Sequence, residues 1–136
     1  MTNKKSGNDF EREFAELLSE QGFWAHLLSQ NQTGQPADVI AVKKDIAYLI
    51  DCKVCQNDRF SFSRIEPNQE AAMTLWEQRG NVNCYFALKD SRGEIFMVHF
   101  DEIQIRQMVH GQTGITGFTE LQTFEEWLEE QQCLQK

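Results

Sequence analysis

The chain of 136 residues is predicted to fold as a mixed α/β domain with one central β-sheet flanked by helices. Two observations predict this class. The length suits one domain, with an apolar fraction of 40% and a charged fraction of 25% that are ordinary for globular proteins. Segments with helical periodicity also alternate with short apolar runs typical of strands, in the order α-β-β-β-α-β-β-α-α.

The first half of the chain is predicted to contain one helix and three strands. An apolar stripe at helical spacing predicts a helix over 8–21, formed by Phe10, Phe14, Leu17 and Leu18. Gly22 ends this helix. Strands are predicted over 23–29, 37–42 and 46–54, with Pro36 before the second strand. The turn at 43–45 is short, so the last two strands are expected to form a hairpin.

The second half is predicted to contain a loop, two strands and three helices. The loop covers 56–65, and the strands cover 82–88 and 94–100 with a turn at 90–93. The helices are expected at 67–79, at 102–109 with Asp101 as its cap, and at 123–133. One face of the first of these helices is marked by Ala72, Leu75, Trp76 and Arg79. The last helix is expected to bury Phe124, Trp127 and Leu128.

Composition limits the compartment and the partners. The net charge of −8 argues against tight non-specific DNA binding, and the excess lies in 66–136, which has five Lys or Arg against twelve Asp or Glu. No apolar run is long enough to cross a membrane and the N-terminus has no apolar signal core, so we expect a cytoplasmic protein.

Cys52 and Cys55 match a zinc or redox spacing, but they lie in a strand-like run with no second pair and no nearby His, so free thiols are expected.

The residues that indicate chemistry lie on the predicted hairpin. Asp51 and Lys53 are two apart on a strand and therefore share a face, while Asp38 opens the preceding strand. A hairpin can bring the two carboxylates together, and a divalent cation relieves their repulsion. Asp38, Asp51 and the backbone carbonyl of Cys52 would supply oxygen ligands for Mg²⁺, with Mn²⁺ as an alternative. Lys53 would orient the attacking water or stabilise charge on a phosphate.

A structural interpretation competes with this one. Asp51 and Lys53 alone are also typical of an ion pair at a sheet edge, which carries no function. The apolar strand around them, the preceding Pro36-Ala37-Asp38 and the acidic upstream helix favour a metal site.

These residues resemble a known superfamily. Pro36-Ala37-Asp38 followed by Asp51-Cys52-Lys53 resembles the signature of the PD-(D/E)XK nucleases, with an Ala inserted between Pro and Asp. The opening, with Gly7, the triplet at 11–13, Gly22-Phe23 and Ser29, is similar to archaeal-type Holliday-junction resolvases. The segment with Phe60, Phe62, Ile65 and Gln69, followed by the strand 84–88, is similar to RecU-type resolvases.

The resemblance implies a restriction-endonuclease-like core, a divalent metal and a homodimer on four-way DNA junctions. It covers 7–100, so 101–136 is expected to be a helical extension within one domain, 1–136. It favours Glu11 as a further metal ligand, although position on the helix does not choose between Glu11 and Glu13. It also implies that Gln69 lies near the catalytic carboxylates. The residues that we expect to contact DNA are Arg12, Ser29, Arg59 and Arg64.

Three functions remain open at this point. The first is a Mg²⁺-dependent Holliday-junction resolvase of phage or mobile-element type, which takes part in DNA recombination and repair. The second is a noncatalytic nucleic-acid-binding or assembly module that keeps the fold, and the third is a restriction or repair nuclease that acts on linear duplex. The intact Asp38, Asp51 and Lys53 argue against the second.

Overall fold

The computed structural model describes residues 3–28 and 35–134, with residues 3–6 described by their backbone alone. Ser29, a predicted DNA contact, therefore lies outside the described residues. None of the described helices combines the length and the apolar character that a membrane span requires.

Four α-helices and eight strands make up the described part of the chain. The α-helices are α1 (Asn3–Glu20), α2 (Pro67–Gln78), α3 (Phe100–Met108) and α4 (Phe124–Leu134). The strands are β1 (Trp24–Leu27), β2 (Val39–Lys43), β3 (Ile46–Val54), β4 (Arg59–Ser61), β5 (Cys84–Lys89), β6 (Ile95–His99), β7 (Gly114–Thr116) and β8 (Gln122–Thr123). A short 3-10 helix, Phe62–Arg64, lies between β4 and α2.

Six strands form the central sheet in the order β1-β2-β3-β5-β6-β8. β3 and β5 are parallel and are joined through α2, whereas the other neighbours in this sheet are antiparallel. Lys44 and Asp45 both have positive φ in the turn between β2 and β3, as tight hairpin turns require. The mixed sheet agrees with the predicted fold class.

Two buried clusters lie on opposite faces of the sheet. One joins α1 and α4 to the sheet and centres on Phe14, Tyr48 and Trp127, all with 0% exposure. The other joins α2, α3 and β4 to the sheet and includes Phe60, which the sequence left in a loop. The fold is therefore layered, with helices on both faces.

The two cysteines with zinc or redox spacing pack into different clusters. Cys52 belongs to the cluster of α1 and α4, whereas Cys55 belongs to the cluster of α2 and α3. All four cysteines are free. The two thiols therefore lie on opposite sides of the sheet.

Several predicted elements need correction. The loop at 56–65 contains β4, which pairs with β7 over 59–61 and 114–116, and β8 adds a sixth strand to the sheet. The chain after residue 100 is thus not only helical. These strands are two or three residues long and pair over large sequence separations, so no local pattern indicates them.

Two details of the helices also differ from prediction. His99 caps α3 by accepting a hydrogen bond from the backbone N–H of Asp101, so Asp101 itself is not the cap. In α2 the buried residues are Gln69 and Met73, whereas Leu75 is 48% exposed. The predicted face of α2 therefore differs from the buried face. The reason is that the hydrophobic pattern does not include Gln69, which is polar but buried. In α4, Phe124 and Trp127 are buried and Leu128 is partly buried, so the predicted face is correct there.

Candidate active site

Asp38 and Asp51 lie side by side at the end of the β2–β3 hairpin. The backbone N–H of Asp38 donates to the carbonyl of Ile50 at 3.2 Å, which continues the ladder by one residue beyond β2. The backbone N–H of Cys52 then donates to Asp38 Oδ2 at 2.7 Å. Asp38 is 4% exposed and Asp51 is fully buried. The hairpin therefore brings the two predicted carboxylates together.

Lys53 and Gln69 complete the environment of Asp51. Lys53 Nζ lies 3.0 Å from Asp51 Oδ2, and Gln69 Nε2 donates to Asp51 Oδ1 at 2.9 Å. Gln69 Oε1 accepts from Lys53 Nζ at 3.3 Å. It also accepts from the backbone N–H of Glu66 at 3.1 Å, as part of a capping box at the start of α2. The first turn of α2 is thus fixed to the middle of β3.

Glu11 reaches the same place from α1. It lines the pocket together with Asp38 and Lys53. Burial, followed by the charge of Asp38 and a hydrogen bond with it, raises the pKa of Glu11 to about 8. Glu13 points elsewhere, since its Oε1 lies 2.7 Å from Lys89 Nζ. The structure thus distinguishes the positions of the two glutamates, which helical periodicity could not do.

Three carboxyl groups, those of Glu11, Asp38 and Asp51, lie close together, and the ammonium of Lys53 forms an ion pair with one of them. Burial and the nearby Asp38 raise the pKa of Asp51 well above its ordinary value, although the Lys53 ammonium acts in the opposite direction. Within residues 3–28 and 35–134, Asp51 Oδ2 makes no hydrogen bond of good geometry. Its contact there is the ion pair with Lys53. A hard divalent cation prefers such a group of carboxyl oxygens, and it would relieve the repulsion between their ionised forms.

The donor set fits Mg²⁺ or Mn²⁺. Glu11, Asp38 and Asp51 offer carboxylate oxygens. Within a strand, the N–H and C=O of one residue point toward the same edge. Because the N–H of Cys52 points to Asp38, its carbonyl oxygen is directed to that side as well. These are the four ligand groups that the sequence predicts.

The pocket has a volume of about 940 Å³ and is lined by two of the predicted DNA-contacting arginines, Arg59 and Arg64. Arg59 also bonds Thr113 and Thr116 of the β7 region, and Arg64 donates to the carbonyl of Val54 at 2.9 Å. Both are therefore held in place beside the carboxylates.

The structure does not bring Arg12 to this pocket. Arg12 is exposed and lines a separate groove between α1 and β1, beside Ala15 and His26. It still lowers the pKa of Glu11 slightly through its charge, a smaller effect than that of burial. A DNA contact through Arg12 would lie outside the pocket.

Gln35 contacts the site directly, and Asn68 contacts it through Gln35. Gln35 donates through Nε2 to Asp38 Oδ1. The backbone carbonyl of Gln35 accepts from Asn68 Nδ2 at 2.7 Å. Amides in a polar segment and at a helix start are common everywhere, so the sequence carries no signal for either role.

The comparison with known proteins decides the family. The family model of the archaeal Holliday junction resolvase (Hjc) matches residues 2–133. The chain belongs to the Hjc family. The Hjc match extends past residue 100, where the sequence resemblance ended, and it confirms the prediction of a metal-dependent resolvase-type nuclease.

A solved Hjc structure supports the fold. The Holliday junction resolvase Hjc from Archaeoglobus fulgidus matches with a TM-score of 0.67 and 17% sequence identity. The match covers 90% of this chain and 98% of that one. At this identity the similarity concerns the fold alone, and it confirms the mixed α/β class. The search of curated proteins gave no match.

A second group of potential ligands in this Hjc-family chain lies where α2 ends and where β6 meets α3. Glu77, His99 and Asp101 place one ligand atom each within 4.8 Å of one another. His99 is already engaged on both ring nitrogens, since Nδ1 accepts from the Asp101 N–H and Nε2 contacts the carbonyl of Val82. The imidazole therefore acts as a structural cap. The carboxyls of Glu77 and Asp101 face each other there, and this, after burial, raises the pKa of Glu77 to about 7.

Proposed function

We propose that the pocket of Asp38, Asp51 and Lys53 hydrolyses phosphodiester bonds of four-way DNA junctions with Mg²⁺, or with Mn²⁺ in its place. The observation that carries the proposal is that Glu11, Asp38 and Lys53 line one pocket that opens to solvent. Asp51 is buried directly behind this lining, 3.0 Å from Lys53 Nζ. Membership of the Hjc family supports the choice of a branched substrate.

Each residue has a separate role in this proposal. Glu11, Asp38, Asp51 and the carbonyl of Cys52 would hold the cation. A divalent cation at such a site supplies a more acidic water and offsets charge on the phosphate. Lys53 donates to the phosphate oxygen on which negative charge develops. Among the described residues, Asp51 and Gln69 take two of its three N–H donors, and we assign the third to the substrate.

Gln69 is a positioning residue in this scheme. Its amide holds Asp51 through the N–H and Lys53 through the oxygen, so it fixes the distance between the acidic and the basic partner. The side-chain oxygen of Gln69 also accepts from the backbone N–H of Glu66 in the capping box of α2. The start of the helix therefore limits movement of the Gln69 side chain in the site.

The charge distribution is compatible with DNA as the partner. Arg59, Arg64 and Lys53 line the pocket, whereas a large share of the acidic excess lies on α4, in Glu125, Glu126, Glu129 and Glu130. Phosphate contacts would therefore come from the pocket wall, with Ser29 and Arg12 as further predicted contacts. We expect binding to weaken steeply with salt.

We further propose a homodimer. A four-way junction has two-fold symmetry, and resolving it takes two nicks related by that symmetry, so two copies of one site fit the substrate. Analytical ultracentrifugation with and without junction DNA measures this directly. A cytoplasmic location, where the DNA substrates are found, belongs to the same proposal. A phage or mobile-element origin stays a prediction from the RecU-type resemblance.

The decisive test is a cleavage assay on a synthetic four-way junction beside a linear duplex of the same sequence. The wild type and Lys53→Ala are compared in Mg²⁺, Mn²⁺ and EDTA. We expect paired symmetric nicks in the junction that need metal and Lys53. Arg79→Ala serves as the control, because Arg79 is an exposed cation at the far end of α2.

Other outcomes would select the other functions. Preferential cleavage of linear duplex would favour a restriction or repair nuclease. Junction binding without cleavage in either metal would favour the noncatalytic module, and would contradict the proposed role of Asp38 and Asp51.

A further inference from the structure

The two oxygens of the Asp38 carboxylate are held by different parts of the chain. Oδ2 accepts from the backbone N–H of Cys52 at 2.7 Å, within the sheet. Oδ1 accepts from the side-chain amide of Gln35, three residues earlier. Each carboxylate oxygen has two lone pairs, so these two hydrogen bonds alone do not use all the acceptor positions of Asp38.

Gln35 is itself fixed from the opposite side. Its backbone carbonyl accepts from Asn68 Nδ2 at 2.7 Å, and Asn68 is the second residue of α2. The neighbouring residue, Gln69, closes the capping box of this helix and donates to Asp51. One turn of α2 therefore reaches both aspartates, directly through Gln69 and indirectly through Asn68 and Gln35.

The chemical type of these contacts suits a metal site. Asp38 lies close to Glu11 and Asp51, and its negative charge raises the pKa of both. A bound cation would need all three carboxyl groups to keep their negative charge available to it. An ammonium in the place of Gln35 would balance that charge and compete with a divalent cation. A neutral amide orients the carboxylate and leaves its charge available, as outer hydrogen-bond partners of metal ligands do.

We propose that Gln35 is a positioning residue for the divalent-cation site, that it acts by orienting the Asp38 carboxylate, and that Asn68 fixes it in place. This inference rests on the proposed function, since it takes Asp38 as a metal ligand. It adds two residues to the site: Gln35, which lines the pocket, and Asn68, which holds the backbone of Gln35. Neither is assigned a contact with the reacting atoms or the cation.

The structure offers a way to separate this role from simple loop anchoring. Asn68 binds the backbone of Gln35, whereas Asp38 binds its side chain. Gln35→Met therefore removes the contact with Asp38. It keeps the side-chain length and the hydrogen bond from Asn68 to the backbone of residue 35, which serves as the anchor of this segment. Asn68→Ala removes the anchor and leaves the Gln35 amide. Gln56→Met is the matched control, because Gln56 is an exposed amide that lines the same pocket.

The test is Mn²⁺ binding to the DNA-free protein, measured by electron paramagnetic resonance of the unbound ion, with thermal unfolding in EDTA as the readout of structure. We expect Gln35→Met to weaken Mn²⁺ binding about tenfold, and Asn68→Ala to weaken it less. Gln56→Met should bind like the wild type, and all three should unfold near the wild-type temperature in EDTA.

Asp38→Asn separates the two proposals. If Asp38→Asn abolishes Mn²⁺ binding and Gln35→Met binds like the wild type, the role of Gln35 is overturned and the proposed metal site stands. If Mn²⁺ binds equally well to Asp38→Asn, both are overturned. A fall in the unfolding temperature of Gln35→Met with unchanged Mn²⁺ affinity would assign Gln35 to loop anchoring alone.

Discussion

The side-chain amide of Gln69 donates to the carboxylate of Asp51 across 2.9 Å and so joins the first turn of α2 to the centre of β3. The same amide accepts from Lys53 and from the backbone of Glu66. Gln69 is 5% exposed and Asp51 is fully buried. A single side chain thus accepts the hydrogen bond of a backbone N–H at the start of α2 and orients the two charged residues of the candidate site.

Replacing Gln69 with Met should cost stability and activity together. The variant leaves the N–H of Glu66 and the oxygen of Asp51 without their partner, and one such loss costs about 1–3 kcal/mol. Urea unfolding measures the stability and junction cleavage measures the activity. Gln78→Met, an exposed amide at the other end of α2, is the control and should change neither. Full stability in Gln69→Met would show that the capping box contributes little.

Asp51→Asn should abolish metal-dependent cleavage and leave the metal-free protein at least as stable as the wild type. Burial and Asp38 raise the pKa of Asp51, which means that its ionised form is disfavoured in the folded state. A neutral amide of the same size removes that penalty. Thermal unfolding in EDTA and single-turnover cleavage test the two halves. An unfolded variant would instead indicate that Asp51 and Lys53 form a structural ion pair.

The metal-free protein should lose stability as the pH rises. Between the ordinary value of 4.5 and the raised value of about 8, folded Glu11 keeps a proton that the unfolded chain has released. Unfolding therefore releases a proton in this window, and stability falls as pH increases through it. Saturating Mg²⁺ should oppose the fall, since it binds the ionised carboxylates of the folded state.

Two variants separate the sources of this pH dependence. Glu77, in the last turn of α2, has a pKa raised to about 7, so it also lowers the stability as the pH rises, but over a lower pH range than Glu11. Glu77→Gln should flatten the unfolding temperature in EDTA between about pH 4.5 and 7, and Glu11→Gln should flatten it up to about pH 8. An unfolding temperature that rises with pH in the wild type would contradict both assignments.

Trp127→Ala should destabilise the whole protein. The indole has 0% exposure and lies within 6 Å of the rings of Phe23, Tyr48, Tyr85 and Phe124. Truncation of such a side chain costs about 3–5 kcal/mol. Urea unfolding followed by circular dichroism should show a single transition at lower urea. A second transition would mean that 101–136 folds separately from the nuclease core, against the predicted single domain. Trp24→Ala is the control, because Trp24 is 62% exposed on an edge strand.

The sequence was sufficient to predict the elements whose pattern is local. The bounds of β3 were predicted as the structure has them, since an apolar run between two turns is visible along the chain. The pairing of Asp51 with Lys53 on one face followed from the two-residue period of a strand, and the tight turn at 43–45 placed Asp38 beside them. Gln69 was expected near the site only because of the family resemblance.

Only the tertiary structure decided the remaining contacts. Glu11 and Glu13 lie on either side of the same apolar stripe, and the packing of α1 directs the first to the pocket and the second to Lys89. The pairing of β4 with β7, and the contacts of Asn68 with Gln35 and of Gln35 with Asp38, join residues whose roles no local pattern encodes. Periodicity determines which face of an element a side chain occupies. What that face meets depends on how the elements pack.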